Sequence, residues 1–407
     1  MIIPSIDLMG GRAVQLRRGA DKVLDAPDDP RDLARRFALY GDIAVVDLDA
    51  ALGQGSNRDL VRELCRIAPC RVGGGIRTEE DVVGLIKAGA RRVMIGTAAT
   101  PEFLARFPRD WIIVALDARA GKTVDQGWRR DTGEAAVDRA RRLESFCSEF
   151  LFTQVEVEGT LQGVPLDPVR ALREATRVPL TVAGGVRDLQ DIRSLEALGA
   201  DVQVGMAIYT GRIDLDEAFA TRPDFSRGPL PTIAQDEDGR VLMLAWSTAE
   251  SLREALRTRR GVYFSRSRQT LWRKGETSGH TQTLIGTRYD CDADAILFRV
   301  RQAGPACHTN RPTCFGDAPR FDLAALRRVI AARRGADPAG SWSARLIGDR
   351  KLLRDKIREE AGEVCDAGDR ANLVWELADL LYHASVLMEA EGISLDEVET
   401  ELRGRHR

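Results

Sequence analysis

The first half of the sequence contains an internal duplication with an offset of 110 residues. Val72-Gly-Gly-Gly-Ile-Arg77 recurs as Val182-Ala-Gly-Gly-Val-Arg187, and Asp7 recurs as Asp117. Within each copy, short apolar runs alternate with helical patterns, which is typical of βαβ units and a parallel sheet. About eight such units precede residue 222. The duplication therefore predicts two half-barrels that close into one α/β (β/α)8 TIM barrel.

Beyond the barrel, the pattern changes twice. Arg222–Pro231 has three prolines and no periodicity, so we interpret it as a linker. A small α+β domain is expected over residues 231–316. From residue 320 to 407 the periodicity predicts an all-α domain, with a Gly/Pro/Ser loop over residues 334–345. A chain of 407 residues exceeds what one core supports, so three domains (1–222, 231–316 and 320–407) is a consistent reading.

Composition excludes several classes of protein. The chain has 60 basic and 62 acidic residues, a formal net charge of -2, which argues against a general nucleic-acid binder. No apolar run approaches the roughly 18 residues that span a membrane. The start lacks a charged segment and is interrupted by Asp7, so we expect no signal peptide and a cytoplasmic protein without nucleic-acid or membrane partners. Its seven cysteines then suggest thiols or metal ligands.

Two aspartates are candidates for catalysis in the barrel. Asp7 and Asp117 follow strands that lie opposite each other, at the end of a barrel where active sites occur. No histidine precedes His280, so acid–base chemistry there needs other groups. A carboxyl pair can supply one proton donor and one acceptor. The alternative is that each aspartate only caps the loop that follows it.

Glycine turns follow four of the predicted strands in a duplicated arrangement. Glycine lets a backbone approach a ligand, and helix N-termini offer N–H groups to an anion. We therefore expect a substrate with a phosphate at each end, although tight βα turns alone would also use glycine. The candidate substrate-binding residues are Gly74, Gly75, Arg77, Gly96, Thr97, Gly184, Gly185 and Gly205.

Residues 1–222 contain the segments IPSIDLMGGRAVQL, VVDLDAA, GGGIR, IGTAA, ALDARAGKTVDQGW and AGGVRD. Through these segments the region resembles the phosphoribosylformimino-AICAR-phosphate isomerase family of histidine biosynthesis. The resemblance implies an Amadori rearrangement of a bisphosphorylated substrate (ProFAR to PRFAR), with acid and base on Asp7 and Asp117 and a third polar group at Thr153. The sequence departs from the family at Glu158-Gly159-Thr160, where Asp-Gly-Thr is frequent, and at Met206, where a polar residue is common.

The middle segment is rich in potential metal ligands. Three thiolates can hold zinc and leave a fourth position for water, and His308 could shuttle a proton. Three alternating aspartates, on one face of an extended segment, suggest magnesium. Plain core cysteines are the alternative. The candidate zinc ligands are Cys291, Cys307 and Cys314, and the candidate magnesium ligands are Asp290, Asp292 and Asp294.

A run of donors precedes these ligands. Basic residues interleaved with Gly and Ser favour phosphate binding over a solvated loop. Candidate substrate-binding residues are Arg266, Arg268, Lys274 and His280. The domain closely resembles phosphoribosyl-AMP cyclohydrolase through VLMLAW, VYFSRSR, LWRKGETSGH, DCDAD and GPACHTNRPTCF. The resemblance implies zinc-assisted opening of an adenine ring, with zinc sites built across the subunits of a dimer.

The helical tail carries two acidic motifs. Spacings of three and four residues put each motif on one helix face, and facing carboxylates can bind magnesium on a pyrophosphate. Solvated charged faces are the alternative. The candidate ligands are Glu359, Glu360, Glu363, Glu376 and Asp379. The tail resembles phosphoribosyl-ATP pyrophosphohydrolase through RRGADPAGSWSARL, KIREEAGEV, ELADLLYH and GISLDEV, with Lys356, His383 and Arg345 as secondary candidates.

Together the three resemblances imply a trifunctional enzyme of histidine biosynthesis, and the candidate ligands predict that it depends on zinc and magnesium. Its substrates would be phosphoribosyl nucleotides, and it would form a homodimer through the middle and helical domains. One alternative is a bifunctional cyclohydrolase/pyrophosphohydrolase whose barrel is an inactive scaffold or phosphosugar-binding module. Another is that the tail is a general nucleotide-cleaning hydrolase.

Overall fold

The computed structural model describes residues 1–19, 21–316 and 321–405. It separates into two compact units, Met1–Cys314 together with Gly404 and Arg405, and Phe315–Arg403. The predicted boundary at residue 320 and the last two residues, 406–407, lie outside the described residues. The division into three domains remains a prediction.

A twelve-stranded sheet forms the core of the N-terminal region. Its strands, in chain order, are β1 Ile2–Met9, β2 Arg12–Arg17, β3 Asp21–Asp25, β4 Ile43–Asp47, β5 Cys70–Gly73, β6 Arg92–Ile95, β7 Ile112–Arg119, β8 Lys122–Asp125, β9 Arg130–Ala135, β10 Glu149–Gln154, β11 Leu180–Ala183 and β12 Asp201–Val204.

Eight of these strands close into a parallel barrel. Within the described residues the order is β1-β4-β5-β6-β7-β10-β11-β12, and β12 pairs with β1 again. The predicted (β/α)8 fold is confirmed. The hairpins β2–β3 and β8–β9 extend β1 and β7, the two strands that carry the duplicated aspartates. The 110-residue repeat is therefore also visible in these hairpins.

Helices connect the strands of the barrel. They are α1 Pro30–Phe37, α2 Leu48–Leu52, α3 Arg58–Ile67, α4 Glu79–Lys87, α5 Pro101–Leu104, α6 Ala136–Leu143, α7 Leu166–Ala175, α8 Leu189–Ala197, α9 Met206–Tyr209 and α10 Leu215–Phe219. Helix α1 begins with a side-chain cap: Asp29 accepts a hydrogen bond from the Arg31 amide at 2.8 Å, and Pro30 occupies the first helical position. A 3₁₀ turn, Ala38–Tyr40, follows it.

The barrel interior is filled by two kinds of layer. Six apolar side chains form a closed cluster in the middle: Ile3, Ala44, Met94, Ile113, Leu151 and Ala183. Nearer the N-terminal ends of the strands, the buried Arg71 contacts Glu149, and Arg92 and Thr181 also contact Glu149. Buried charges of this kind persist only when paired. Both layers leave the opposite end of the barrel open for a site.

The middle domain continues the same compact unit. It contains β13 Leu230–Gln235, β14 Val241–Ser247, α11 Ala249–Thr258, β15 Val262–Ser265, β16 Thr270–Arg273, β17 Gln282–Tyr289 and β18 Ile296–Gln302. Four strands form a mixed sheet in the order β14-β13-β18-β17, and β15–β16 is a separate hairpin. The predicted linker, Arg222–Pro231, extends too far, because β13 already begins at Leu230, where it pairs with β14.

The second unit is helical, as predicted. Its helices are α12 Leu323–Ala331, α13 Trp342–Gly348, α14 Arg350–Asp366, α15 Arg370–Glu391 and α16 Leu395–Arg405. The loop expected over 334–345 is too long, since Ser341 caps α13 through the Ala344 amide. Gly392 ends α15 in the left-handed conformation, and Ser394 caps α16 through the Glu397 amide. No helix in the described residues is both long and apolar enough to cross a membrane.

Candidate active sites

Asp7 lies near the C-terminal end of β1, at the open mouth of the barrel. The Ser5 hydroxyl, two residues earlier on the same strand face, donates to the Asp7 carboxylate at 2.7 Å. Burial raises the pKa of Asp7 to about 6, and this hydrogen bond opposes the shift. Asp7 can therefore gain or lose a proton near neutral pH.

Asp117 takes the matching position on β7. Its direct neighbour across the strand pair is Thr153 on β10. Burial raises the pKa of Asp117, while hydrogen bonds from the Trp128 and Thr153 side chains lower it. The two predicted carboxyl groups and Thr153 all line one cleft. Trp128 comes from the turn of the β8–β9 hairpin, and the sequence interpretation missed it.

Glu158 is a third carboxyl group at this mouth. Its Oε2 atom is buried and has no hydrogen-bond partner among the described residues. Burial raises its pKa to about 8, and the charges of Asp7 and Asp117 add to the shift. Gly184 faces it: with φ of +89°, a Cβ there would lie 2.7 Å from Glu158 Oε2. The departure from Asp-Gly-Thr was the one sequence signal for this residue.

The predicted glycine turns lie at two ends of the cleft. One end is lined by Gly74, Gly75, Arg77, Gly96 and Thr97, and the other by Gly184, Gly185 and Gly205. Asp7 and Glu158 line both parts of the cleft. The structure thus brings the predicted barrel residues together in the arrangement that a substrate with two anionic ends would need.

Arg139 supports one of these ends from behind and was not anticipated. This buried residue of α6 donates to the carbonyl oxygens of Gly96, at 3.0 Å, and Ala99, at 3.4 Å. Its Nε atom is buried without a partner among the described residues. The positive charge also lowers the pKa of Asp117. Arginine in an amphipathic helix is ordinary, so the sequence offered no signal.

In the middle domain, two of the three predicted zinc ligands meet. The Cys307 and Cys314 side chains hydrogen-bond each other. Cys291 is exposed, and the three sulfur atoms do not converge within 4.8 Å in the described chain. Lys274 lies close enough for its charge to interact with both thiols, and burial lowers its pKa. The cysteine pair and the basic run therefore share one region.

The three aspartates also come together, but not as expected. Oxygen atoms of Asp290, Asp292 and Asp294 lie within 4.8 Å of one another. The extended segment we expected is wrong: the residues form a tight loop between β17 and β18, with Ala293 at φ of +62°. A shared hydrogen bond with Asp290, then the charges of Asp292 and Asp290, raise the pKa of Asp294. Such crowding favours a cation.

The remaining donors of this domain are spread over the β15–β16 hairpin and its surroundings. The Arg266 guanidinium lies 4.1 Å above the Trp246 ring, and Arg268 Nε donates to Ser265 at 3.2 Å. Lys274 Nζ donates to the His280 carbonyl oxygen at 3.4 Å. His308 Nδ1 lies 4.0 Å from Cys307 Sγ, close to the cysteine pair.

In the helical unit, carboxyl groups of α14 and α15 face each other. Oxygen atoms of Glu360, Glu376 and Asp379 lie within 4.8 Å of one another, and Glu360 is buried. Glu363 hydrogen-bonds Glu376. Desolvation and then the charge of Glu363 raise the pKa of Glu376. Four of the five predicted ligands thus form one cluster.

Glu359 stands apart from this cluster. It pairs with Lys356 at 2.9 Å, and Lys356 also lies 3.7 Å from Glu360. His383 Nδ1 donates to the Asp379 carbonyl oxygen at 2.9 Å and lies 3.6 Å from Glu360. Its Nε2 atom is buried without a partner among the described residues. His383 therefore braces the carboxylate cluster from within the bundle.

Three family models match the chain in order. They are described as Histidine biosynthesis protein over residues 1–214, Phosphoribosyl-AMP cyclohydrolase over residues 243–316, and Phosphoribosyl-ATP pyrophosphohydrolase over residues 323–406. Each matched range falls within one predicted domain.

Similar proteins cover different parts of the chain. An imidazole-4-carboxamide isomerase of Methanocaldococcus jannaschii is 36% identical over 231 residues, 54% of this chain and 98% of that protein. The histidine biosynthesis bifunctional protein HisIE of Bacillus subtilis is 44% identical over 193 residues, 44% of this chain and 92% of that protein.

A third relative spans more than one domain. The histidine biosynthesis trifunctional protein of Neurospora crassa is 33% identical over 331 residues, which is 79% of this chain. The chain matches 26% to 35% of the length of three such trifunctional relatives.

Proposed function

Because this chain belongs to the histidine biosynthesis protein family, we propose that it catalyses three consecutive reactions of that pathway. The helical region hydrolyses phosphoribosyl-ATP to phosphoribosyl-AMP and pyrophosphate. The middle domain opens the adenine ring of phosphoribosyl-AMP, and the barrel isomerises the resulting ProFAR to PRFAR. One observation carries the assignment of an active barrel: Asp7 and Asp117 remain in one cleft between two glycine-lined ends.

In the barrel, the reaction needs a proton donor for the sugar ring oxygen as its bond to C1 opens, and a base that removes the proton from C2. We assign these tasks to Asp7 and Asp117. Glu158, with a pKa of about 8, keeps its proton at neutral pH and interacts with both aspartates, so it supplies a second donating carboxyl group. Carboxyl groups whose pKa values are pushed apart are suited to paired acid and base roles.

In the middle domain, the donor set suits zinc. Enzymes of the two hydrolase families generally use metal ions. We propose that Cys307 and Cys314 hold zinc together with Cys291, and that bound zinc makes water nucleophilic near neutral pH. Hydrogen bonds from Thr309 lower the pKa of Cys307, which favours the thiolate that a metal requires. His308 would move the proton, and Lys274 with Arg266 would bind phosphate.

We further propose a homodimer. In one chain Cys291 does not join the other two thiols, so a complete zinc site would take Cys291 from a second copy. The helical region offers a second contact: Val374, Trp375 and Leu381 on α15 are 59%, 70% and 48% exposed. Large apolar groups exposed together mark interaction surfaces.

In the helical region, the carboxylate cluster suits magnesium. Glu360, Glu363, Glu376 and Asp379 offer hard oxygen donors, and their mutual repulsion is relieved by a divalent cation. Bound magnesium would neutralise the pyrophosphate. The Asp290 loop is proposed as a second magnesium site. Binding of an ATP-related nucleotide follows from this assignment. We also propose that the protein is located in the cytoplasm, which agrees with its seven free cysteines.

Complementation tests the whole proposal. The full chain should rescue three bacterial auxotrophs, each lacking one of the three activities. Asp7→Asn should fail only for the isomerase strain, Cys307→Ser only for the cyclohydrolase strain, and Glu363→Gln only for the pyrophosphohydrolase strain. Failure of the wild-type chain in the isomerase strain alone would instead favour the bifunctional alternative.

A further inference from the structure

Strand β17 is attached to the barrel by two side-chain hydrogen bonds. Thr287 Oγ1 donates to the Leu39 carbonyl oxygen at 2.5 Å, and the Tyr289 hydroxyl donates to the Phe219 carbonyl oxygen. Thr287 and Tyr289 are two residues apart, so their side chains point to the same face of the strand. That face is directed at the barrel.

Both anchors are set in buried surroundings. Thr287 is 1% exposed. The Tyr289 ring stacks on Phe219 with ring centroids 4.3 Å apart and an angle of 24° between the planes. Phe219, at the end of α10, is 2% exposed and therefore held by the barrel core. Buried, fully packed groups define a position more closely than exposed ones.

The metal-binding loop starts immediately after the second anchor. Tyr289 pairs with Ile296 across the hairpin, and residues 290–295 connect them. The Asp290 amide donates to the Ala295 carbonyl oxygen at 3.2 Å, and the Ala295 amide donates to Asp290 Oδ1 at 3.1 Å. The position of a loop this short is determined by the ends of β17 and β18, so the contacts of Tyr289 help to determine where the three carboxylates lie.

The strand needs this support because of its place in the sheet. Among the described strands, β17 is at the edge, with β18 as its neighbour in the sheet. A bulge near Gly286 interrupts the ladder shortly before the anchors. Edge strands and bulges are the less constrained parts of a sheet. The beginning of β17 also pairs with residues 259–261, through the Arg260–Thr283 bridge. Beyond the bulge, the barrel contacts on one face of β17 add to its pairing with β18.

We propose that the barrel is a structural platform for the aspartate loop of the middle domain, with Thr287 and Tyr289 as the positioning residues. The proposal rests on the proposed cyclohydrolase function of that loop. It means that the barrel supports the ring-opening site in addition to carrying its own chemistry, and it accounts for the compact unit that the two domains form.

The test compares the full-length wild type with the double variant Thr287→Val/Tyr289→Phe. Both changes remove a hydroxyl and keep the shape of the side chain. Mn²⁺ is the probe, and only the binding component that Asp292→Asn abolishes is assigned to the loop. Hydrogen exchange of residues 290–296 is measured without metal. Thr283→Val, an exposed position on the same strand, is the matched control.

We expect the double variant to bind Mn²⁺ about fivefold more weakly in that component and to exchange faster at 290–296, because each lost hydrogen bond loosens the strand. Isomerase turnover and the Thr283→Val control should not change. Should the double variant not fold, Tyr289→Phe alone, which keeps the ring on Phe219, carries the same prediction with a smaller effect.

Two failures can be told apart. Unchanged Mn²⁺ affinity and unchanged exchange in a folded double variant would overturn the platform alone. A wild type without any Mn²⁺ component sensitive to Asp292→Asn would overturn the proposed metal site, and the platform with it.

Discussion

Thr153 and Asp117 are direct neighbours across strands β10 and β7, and the Thr153 hydroxyl hydrogen-bonds the Asp117 carboxylate. Asp7, the corresponding aspartate in the other half, accepts a hydrogen bond from the hydroxyl of Ser5 on its own strand. The two halves of the barrel thus repeat the position of the carboxyl group but support it differently. The two aspartates therefore have separate electrostatic environments, which acid–base catalysis requires.

Thr153→Val should shift the pH dependence of isomerisation. The hydroxyl lowers the pKa of Asp117, so its loss raises that pKa, and the limb of the pH profile of kcat/KM that reports Asp117 moves to higher pH. A fall of about tenfold in kcat/KM at neutral pH is expected from losing a hydrogen bond to a charged group. Thr153→Ser, which keeps the hydroxyl, should behave like wild type. An unshifted profile for Thr153→Val would contradict the assignment.

Glu158→Gln should change how stability depends on pH. Burial raises the pKa of Glu158 from 4.5 to about 8, so the folded state binds a proton that the unfolded state releases in that window. Stability is therefore full below the unfolded pKa and is lost as pH rises through about 8. Relative to Glu158→Gln, wild type should lose at most about 5 kcal/mol across this window.

Urea unfolding of both proteins at several pH values measures this difference. Glu158→Asp, which restores the more frequent family residue, is the matched ionisable control and should retain a pH dependence. Parallel stability curves for wild type and Glu158→Gln would show that the buried carboxyl group does not titrate as described.

The sequence predicted the parts of the barrel site that repeat. Asp7, Asp117 and the glycine turns recur because both halves use the same backbone geometry, and periodic features of this kind are visible in a single sequence. Trp128 and Arg139 were missed, since a hairpin turn brings one into the cleft and a helix packs the other behind a glycine turn. Their roles depend on tertiary contacts, which periodicity does not contain.

Local geometry was less predictable than ligand identity. The aspartates cluster as expected, but alternation suggested an extended segment where Ala293 turns the chain. Similarly, Gly and Pro suggested a loop that continues past Ser341, where a serine cap in fact starts α13. In both places one turn or capping residue determines the backbone conformation, and the composition of the neighbouring residues does not reveal it.

Mixing two inactive cysteine variants tests the shared zinc site. Cys291→Ser and Cys307→Ser should each lose zinc and cyclohydrolase activity. When the two variants are unfolded and refolded together, each heterodimer should contain one intact zinc site of its two. Random pairing makes about half of the dimers heterodimers, so about a quarter of all sites should be restored. Zinc analysis and ring-opening assays measure this. Cys307→Ser mixed with Cys314→Ser is the control, which should recover nothing.

Two results would contradict a site assembled from Cys291 of one subunit and Cys307 and Cys314 of the other. One is recovery of zinc binding and activity in the control mixture. The other is no recovery when Cys291→Ser and Cys307→Ser are mixed, although heterodimers form.

Neighbouring glutamates on α14 should differ in importance. Glu360 belongs to the carboxylate cluster, whereas Glu359 pairs with Lys356 outside it. If Glu360 is a magnesium ligand, as proposed, Glu360→Gln should reduce pyrophosphate release from phosphoribosyl-ATP by about a hundredfold or more, since losing even an outer partner of a metal ligand costs about 10–100-fold. Glu359→Gln should cost less than about threefold, the scale of an exposed ion pair. Equal losses would mean that the cluster is larger than its geometry indicates.

Isomerase activity of the barrel is the most direct test of the central claim. Purified full-length protein and Asp7→Asn are each given ProFAR, and formation of PRFAR is followed under conditions in which both also show pyrophosphohydrolase and cyclohydrolase activity. The account predicts turnover by wild type and loss of turnover by more than about a thousandfold in Asp7→Asn, with the other two activities unchanged. No PRFAR from a wild type that is active in both hydrolytic steps would contradict it.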